Sequence, residues 1–309
     1  MRPTPLGHTG LEIAPLALGG HWKGLDRVLG RPFTGSGYDD QDFENIRTPD
    51  FLDNRDQLLT RAIELGVNYL DACSPPEILA YARLLRGRRD RILLGYSWHT
   101  REPRYPKWRS PERLIQGLKT GLREAGLDNV DLWRISLPVD GIADPSERER
   151  IEEATVAGLA AAREQGLARA TGVSSHDSAW LRAMLERHPD EIQVVLFPFP
   201  AGAKRAPQAS LLDAVTARGA GAIAIKPFTG GALFADRGGD RLSALALRHA
   251  FAERALSAVA AGFASAAQLE NAVRAAEAGP LTASEAAELD RAAEAAWPHA
   301  GWLARWREV

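Results

Sequence analysis

Polar residues able to do chemistry stand at the ends of short apolar runs. His21 follows Leu11 to Leu18 and a glycine pair, and Asp71 closes the run from Val67 and precedes Cys73. Ser97 and His99 follow Ile92 to Tyr96, and Arg134 and Ser136 lie within Val130 to Ser136. Ser174, Ser175 and His176 end the run that starts at Ala170. The run Gly221 to Ile225 passes into Lys226, Pro227, Phe228, Thr229, Gly230 and Gly231. An imidazole titrates near neutral pH, so His21 and His99 are candidate general acids or bases. A glycine pair after a strand lets backbone N–H groups approach an anion closely, so the turn from Lys226 to Gly231 reads as a diphosphate cradle. Arg134 shares strand parity with Ser136; facing inward, its guanidinium needs a carboxylate, and Asp71 is the expected partner. Tyr96 has the opposite parity to Ser97 and is expected to face away from it. Each residue also has an ordinary reading: a surface histidine, an arginine that snorkels outward, serines that cap helices. No histidine and carboxylate pair has helical metal-ligand spacing, and neither a GxSxG nor a P-loop pattern occurs, so no metal site is expected.

Something must hold these residues together, and the pattern between them supplies it. Amphipathic stretches at Asp56 to Leu65, Pro111 to Ala125, Ser146 to Gln165, Ala179 to Arg187, Ala209 to Arg218, Leu242 to Ala252 and Ala266 to Ala276 alternate with the apolar runs. A further run covers Ile192 to Phe197, and Leu256 to Ala260 completes the series. About eight strand and helix pairs in one chain predict a (β/α)8 barrel, whose site lies at the C-terminal ends of its strands. No linker or composition shift divides residues 1–309, so one domain is expected. Residues 23–54 show no helical period and are rich in Gly, Asp and aromatic residues, including Phe33, Tyr38 and Phe43; they read as a lid after the first strand. The stretch 281–309, with Trp297, Trp302 and Trp306, reads as a terminal helix packed on the barrel.

Composition bounds the function. With 309 residues, 45% of them hydrophobic and 25% charged, the chain can bury a large core. A formal net charge of -2 gives no general attraction to nucleic acid or anionic lipid. The single cysteine allows no internal disulfide and no CxxC motif, which suits a reducing compartment. Neither a secretory signal nor a membrane-length apolar run is seen, so a cytoplasmic location is expected.

Several segments, in order and over nearly the full length, resemble the aldo-keto reductase family. They are Leu6 to Leu11 at an opening hairpin, Ala62 to Asp71 at a second strand with its aspartate, Ala125 to Trp133 before a fourth strand, and Thr171 to Ser175. Val194 to Phe199 and Ala224 to Phe228 are similar to a divergent branch, and Gly262 with Gln268 to Asn271 to an adenosine-binding loop and helix. The resemblance implies a barrel with an N-terminal hairpin, bound NADP or NAD, and hydride transfer to a carbonyl of a small-molecule substrate. It implies that Ser174 and Ser175 hold the carboxamide, that the turn of Lys226, Pro227, Phe228, Gly230 and Gly231 holds the diphosphate, and that Gln268 and Asn271 hold the adenine. Of the tetrad of Asp, Tyr, Lys and His that such enzymes use, only Asp71 is matched. The segment after it reads Ala72 to Glu77 with no tyrosine, Tyr81 lies on a predicted helix, and Ser97 and Ser136 fall at the Lys and His positions. An arginine that would grip a 2′-phosphate is replaced by Phe263, Ala264 and Ser265, which leaves NADP and NAD both open. Three functions fit: an oxidoreductase with a reassigned proton donor, which the cradle favours; a lyase, dehydratase or isomerase using Asp71 and a histidine; and a catalytically silent cofactor-binding protein.

Overall fold

Alternating apolar runs and amphipathic stretches close here into a cylinder, seen in a computed structural model that describes residues 1–33, 35, 37, 41–137, 142–203, 205–234 and 239–299. An antiparallel hairpin, β1 (Thr4–Pro5) and β2 (Glu12–Ile13), opens the chain. Eight parallel strands follow: β3 (Leu16–Gly19), β4 (Tyr69–Ala72), β5 (Leu93–Tyr96), β6 (Val130–Ser136), β7 (Ala168–Ser174), β8 (Val194–Pro198), β9 (Gly221–Ile225) and β10 (Ala258–Ala261). They pair in chain order, and β10 closes the ring on β3 through Val259 beside Leu16. Between β3 and β4 lie α1 (Leu25–Leu29), α2 (Asp42–Asn45) and α3 (Pro49–Glu64). One helix then follows each strand: α4 (Pro75–Leu84), α5 (Pro111–Ala125), α6 (Pro145–Glu164), α7 (Ser178–Arg187), α8 (Arg205–Arg218), α9 (Gly239–Phe251) and α10 (Ala266–Glu277), with α11 (Ala283–Ala296) after the ring. This is the expected (β/α)8 barrel with its N-terminal hairpin.

Local chemistry sets the helix starts. Proline stands in the first turn of α3, α4, α5 and α6, where its missing N–H costs nothing. The side chains of Ser74, Ser110, Asp144, Asp177 and Ser265 accept first-turn amides. Inside the ring, Ala17, Tyr69, Leu132, Ala170, Val194, Leu196, Ile223, Ala258 and Ala260 fill the interior, and Leu6, Leu11 and Ile13 of the hairpin join the same apolar cluster. Gly7 permits that seat: its φ is +53°, and a Cβ there would come within 2.3 Å of the Gly221 amide nitrogen.

Three expectations are revised. The apolar run from Leu11 to Leu18 is two strands, because Pro15 offers no N–H to extend the ladder. Residues 23–54 contain helices, and α3 begins at Pro49 rather than Asp56. Its buried side chains include Phe51 and Arg55, and a buried arginine hides the apolar period. Phe33 of that segment stacks on Phe51 at 6.1 Å, and Trp22 just before it packs edge-on to Phe51 at 4.8 Å, so these rings serve the core. Tyr38, Trp302 and Trp306 lie outside the described residues, as does the tail beyond residue 299. No helix among the described residues is long and apolar enough to cross a membrane.

Candidate active site

Strand polarity carries the polar residues to one end of the barrel, where they line a cavity of about 1130 Å³. Every candidate from the sequence lines it except Asn271, whose amide donates to the carbonyl of Asp240 at 2.9 Å.

At the floor, Arg134 on β6 meets Asp71 on β4 as alternation predicts. Arg134 Nε donates to Asp71 Oδ1 at 3.0 Å, and the terminal nitrogen donates to Oδ2 at 2.6 Å. Both side chains are buried, 5% and 7% exposed. Tyr69, one strand period below, donates its hydroxyl to Asp71 Oδ1 at 3.3 Å; burial and the Asp71 charge raise the phenol's pKa. Gly95 makes room, since a Cβ there would lie 2.0 Å from the Tyr69 oxygen and 2.9 Å from Asp71. Two-residue parity with Asp71 was the signal that would have found Tyr69.

Beside the floor stand His21 and Cys73. His21 Nδ1 is hydrogen-bonded to Oε1 of Glu77, a residue the sequence reading missed, and His21 Nε2 faces Cys73 Sγ at 4.0 Å. Glu77 is fully buried in the first turn of α4, and its Oε2 accepts the Cys73 amide at 2.8 Å. A Cβ on Gly37 would lie 2.5 Å from Glu77 Oε1, so the segment after β3 covers this carboxylate. Burial opposes a charge on His21, but Glu77 and then Cys73 outweigh it and raise its pKa well above the ordinary imidazole value. Among the described residues, His21, Cys73 and Glu77 form a group of metal-ligand type, with one atom of each within 4.8 Å of the others. Their numbers, 21, 73 and 77, follow no local spacing, and only the barrel brings them together.

His99 Nδ1 lies 3.2 Å from the carbonyl of Cys73. Burial, and then Arg104, lower its pKa, so it is neutral where His21 is charged. A second missed acid, Glu102, accepts from the Ser97 hydroxyl and, through Oε2, from the Ser136 amide at 3.1 Å. It thus bridges the ends of β5 and β6. Burial raises its pKa. No periodic signal marks Glu102, because it lies in a loop. Tyr96 faces the helices as expected: its oxygen sits 1.9 Å from where a Gly121 Cβ would be.

On the other side of the cavity, Lys226 and Thr229 hold φ of 57° and 56°, and Gly230 and Gly231 hold 67° and 95°. Lys226 Nζ lies 2.8 Å from His176 Nε2, and burial lowers its pKa to about 8. Lys23, another residue missed in the sequence, reaches over to donate to the Gly230 carbonyl at 3.0 Å. Of the segment after β3, the lining uses Lys23, Gly24, Arg27 and Val28; Phe33 and Phe43 do not line the cavity. Ser175 Oγ accepts the Asp177 amide at 3.1 Å, and Gln268 Oε1 accepts the Ala264 amide at 2.8 Å. Buried Arg55 donates to the carbonyls of Phe263 at 2.7 Å and Ala264 at 2.9 Å, fixing the loop that Gln268 also holds.

Known proteins share this plan. The chain is similar in fold to the holo form of aldo-keto reductase AKR11C1 from Bacillus halodurans, with a TM-score of 0.65 and 21% identity over 96% of this chain and 97% of that one. The apo form of the same protein gives a TM-score of 0.63 and 22% identity over the same shares. Rho crystallin of Rana temporaria is 32% identical over 111 residues, 32% of this chain and 32% of that protein. Rho crystallin of Aquarana catesbeiana matches to the same extent, so the chain spans about a third of the length of these curated relatives. The sequence model of the aldo/keto reductase family matches residues 51–241, which hold Asp71, Arg134, the serine pair and the Lys226 turn. The chain belongs to the aldo/keto reductase family.

Proposed function

We propose that the protein is an NAD(P)(H)-dependent oxidoreductase acting on a carbonyl or alcohol of a small molecule, with His21 supplying the proton that a tyrosine supplies elsewhere in the family. The observation that carries this reading is the cationic, left-handed turn from Lys226 to Gly231 at the mouth of a cavity whose floor holds Asp71. Lys23, Arg27, Arg104 and Lys226 line the cavity and suit a diphosphate. Ser174 and Ser175 would hold a carboxamide, and Gln268 an adenine. When bound, the nicotinamide supplies or accepts hydride.

The residues of the chain then have separate tasks. Asp71 and Arg134 neutralise each other at the floor and keep the strand ends in register. His21, charged at neutral pH and oriented by Glu77, is the proton donor to a carbonyl oxygen. His99, neutral over the same range, is a poorer acid. Family membership weighs against a non-redox barrel enzyme, and a reducing cytoplasm suits a free thiol at the cavity.

Fluorescence titration with NADPH and NADH tests the seat, and activity toward a panel of aldehydes and ketones tests turnover. Tight binding of at least one dinucleotide is expected. His21→Gln should abolish turnover and leave that affinity intact, with His99→Gln retaining activity. Binding of neither dinucleotide refutes the proposal, and full activity in His21→Gln refutes the assignment of the acid.

A further inference from the structure

We propose that Cys73 is a nucleophile of this cavity and adds reversibly to the carbonyl carbon of an aldehyde. The aldehyde class rests on the oxidoreductase reading above; the nucleophile itself does not.

Three groups stand in series. The Cys73 thiol faces His21 Nε2, the other ring nitrogen of His21 bonds Glu77, and Glu77 is fully buried with its second oxygen on the Cys73 amide. This is the order of nucleophile, base and orienting carboxylate that activates a thiol. The carboxylate fixes the ring so that Nε2 points at sulfur. A metal centre is the competing reading of the same residues. It fits less well, because both Glu77 oxygens already accept protein hydrogen bonds and only an imidazole nitrogen and a thiolate remain as ligands. Two further cationic side chains, Arg134 and Lys226, line the same cavity as the sulfur. A thiolate is favoured by neighbours of this kind. Cys73, His21, Arg134 and Lys226 all line the 1130 Å³ cavity, so a small aldehyde can reach the sulfur.

The step is balanced without an oxidant. With the sulfur's proton held on His21 Nε2, the sulfur lone pair forms a C–S bond to the carbonyl carbon, and the C=O π pair moves onto oxygen. That oxygen takes the proton from His21 Nε2, leaving a neutral imidazole and a thiohemiacetal. Reversal returns the proton to His21 and expels the aldehyde.

Cys73 is the only cysteine of the chain, so a thiol label reports on it alone. On the full-length wild-type protein, the rate of alkylation by iodoacetamide is measured at pH 7 beside free glutathione. The expected rate exceeds that of glutathione by more than about tenfold, and His21→Gln should remove the excess. A wild-type rate no higher than that of glutathione overturns the proposal, and needs no variant to fold. With [1-13C]butanal, an sp3 carbon resonance should appear in the wild type and be absent in Cys73→Ser, checked for folding by circular dichroism. Fast alkylation with no adduct and no protection by butanal overturns the aldehyde assignment. An adduct in a protein that binds neither NADPH nor NADH sinks the oxidoreductase reading and leaves the nucleophile standing.

Discussion

Replacing Arg134 by Met should destabilise the protein far more than the loss of one surface charge. Its guanidinium and the Asp71 carboxylate make two hydrogen bonds, at 3.0 and 2.6 Å, between side chains only 5% and 7% exposed. Removing one member strands the other as a buried charge, which costs about 3–5 kcal/mol. For a chain of 309 residues, whose unfolding entropy is about 0.65 kcal/mol/K, this lowers Tm by about 5–8 °C. Combining Arg134→Met with Asp71→Asn removes both charges and keeps an acceptor for the Tyr69 hydroxyl. The double variant should return to within about 2 kcal/mol of the wild type, since a buried pair gains little over a neutral replacement. The difference between the summed single effects and the double effect is the coupling, expected to exceed about 2 kcal/mol. Urea and thermal unfolding followed by circular dichroism measure all four proteins. An Arg134→Met cost below about 1 kcal/mol, or a double variant as unstable as the sum of the singles, would refute the account of a desolvated pair.

Two further outcomes follow from groups whose proton affinities the fold has moved. Burial raises the pKa of Glu102, so its contribution to stability is fully present below the ordinary glutamate range and is lost as pH rises through its raised folded value. Glu102→Gln should flatten the Tm profile across that range, and parallel profiles for the two proteins would contradict the assignment. Lys226, lowered to about 8, carries its charge below that pH and loses it above, so dinucleotide affinity should fall as pH rises past about 8. Lys226→Met should weaken binding about tenfold at pH 7, equivalent to roughly 1.4 kcal/mol, and remove that pH dependence. Gly230→Val and Gly231→Val, at φ of 67° and 95°, should weaken it before they weaken folding. Titration of each variant across pH 6 to 9 decides, and an unchanged wild-type affinity through pH 9 argues against contact with Lys226.

The barrel and much of its polar end were legible in the chain because their determinants are periodic. Apolar runs at period two and helical stretches between them fix the strand and helix order, and parity along β6 places Arg134 toward Asp71 before any contact is seen. The same parity turns Tyr96 away from the site. The helices within residues 23–54 were not legible because their order rests on particular buried polar contacts and not on a period: Asp42 accepts from Trp22 at 2.9 Å and from the Gly37 amide at 2.8 Å.

What the sequence determined by itself is thus the ring and the end of it at which the polar residues gather. What only the tertiary structure decided is which groups meet there. Glu77 meets His21 across 56 residues, and Glu102 meets the Ser136 amide across 34, with both carboxylates buried. Hydrogen bonds between residues so far apart leave no trace in local spacing. Their effect on charge depends on burial, which closure of the barrel alone creates.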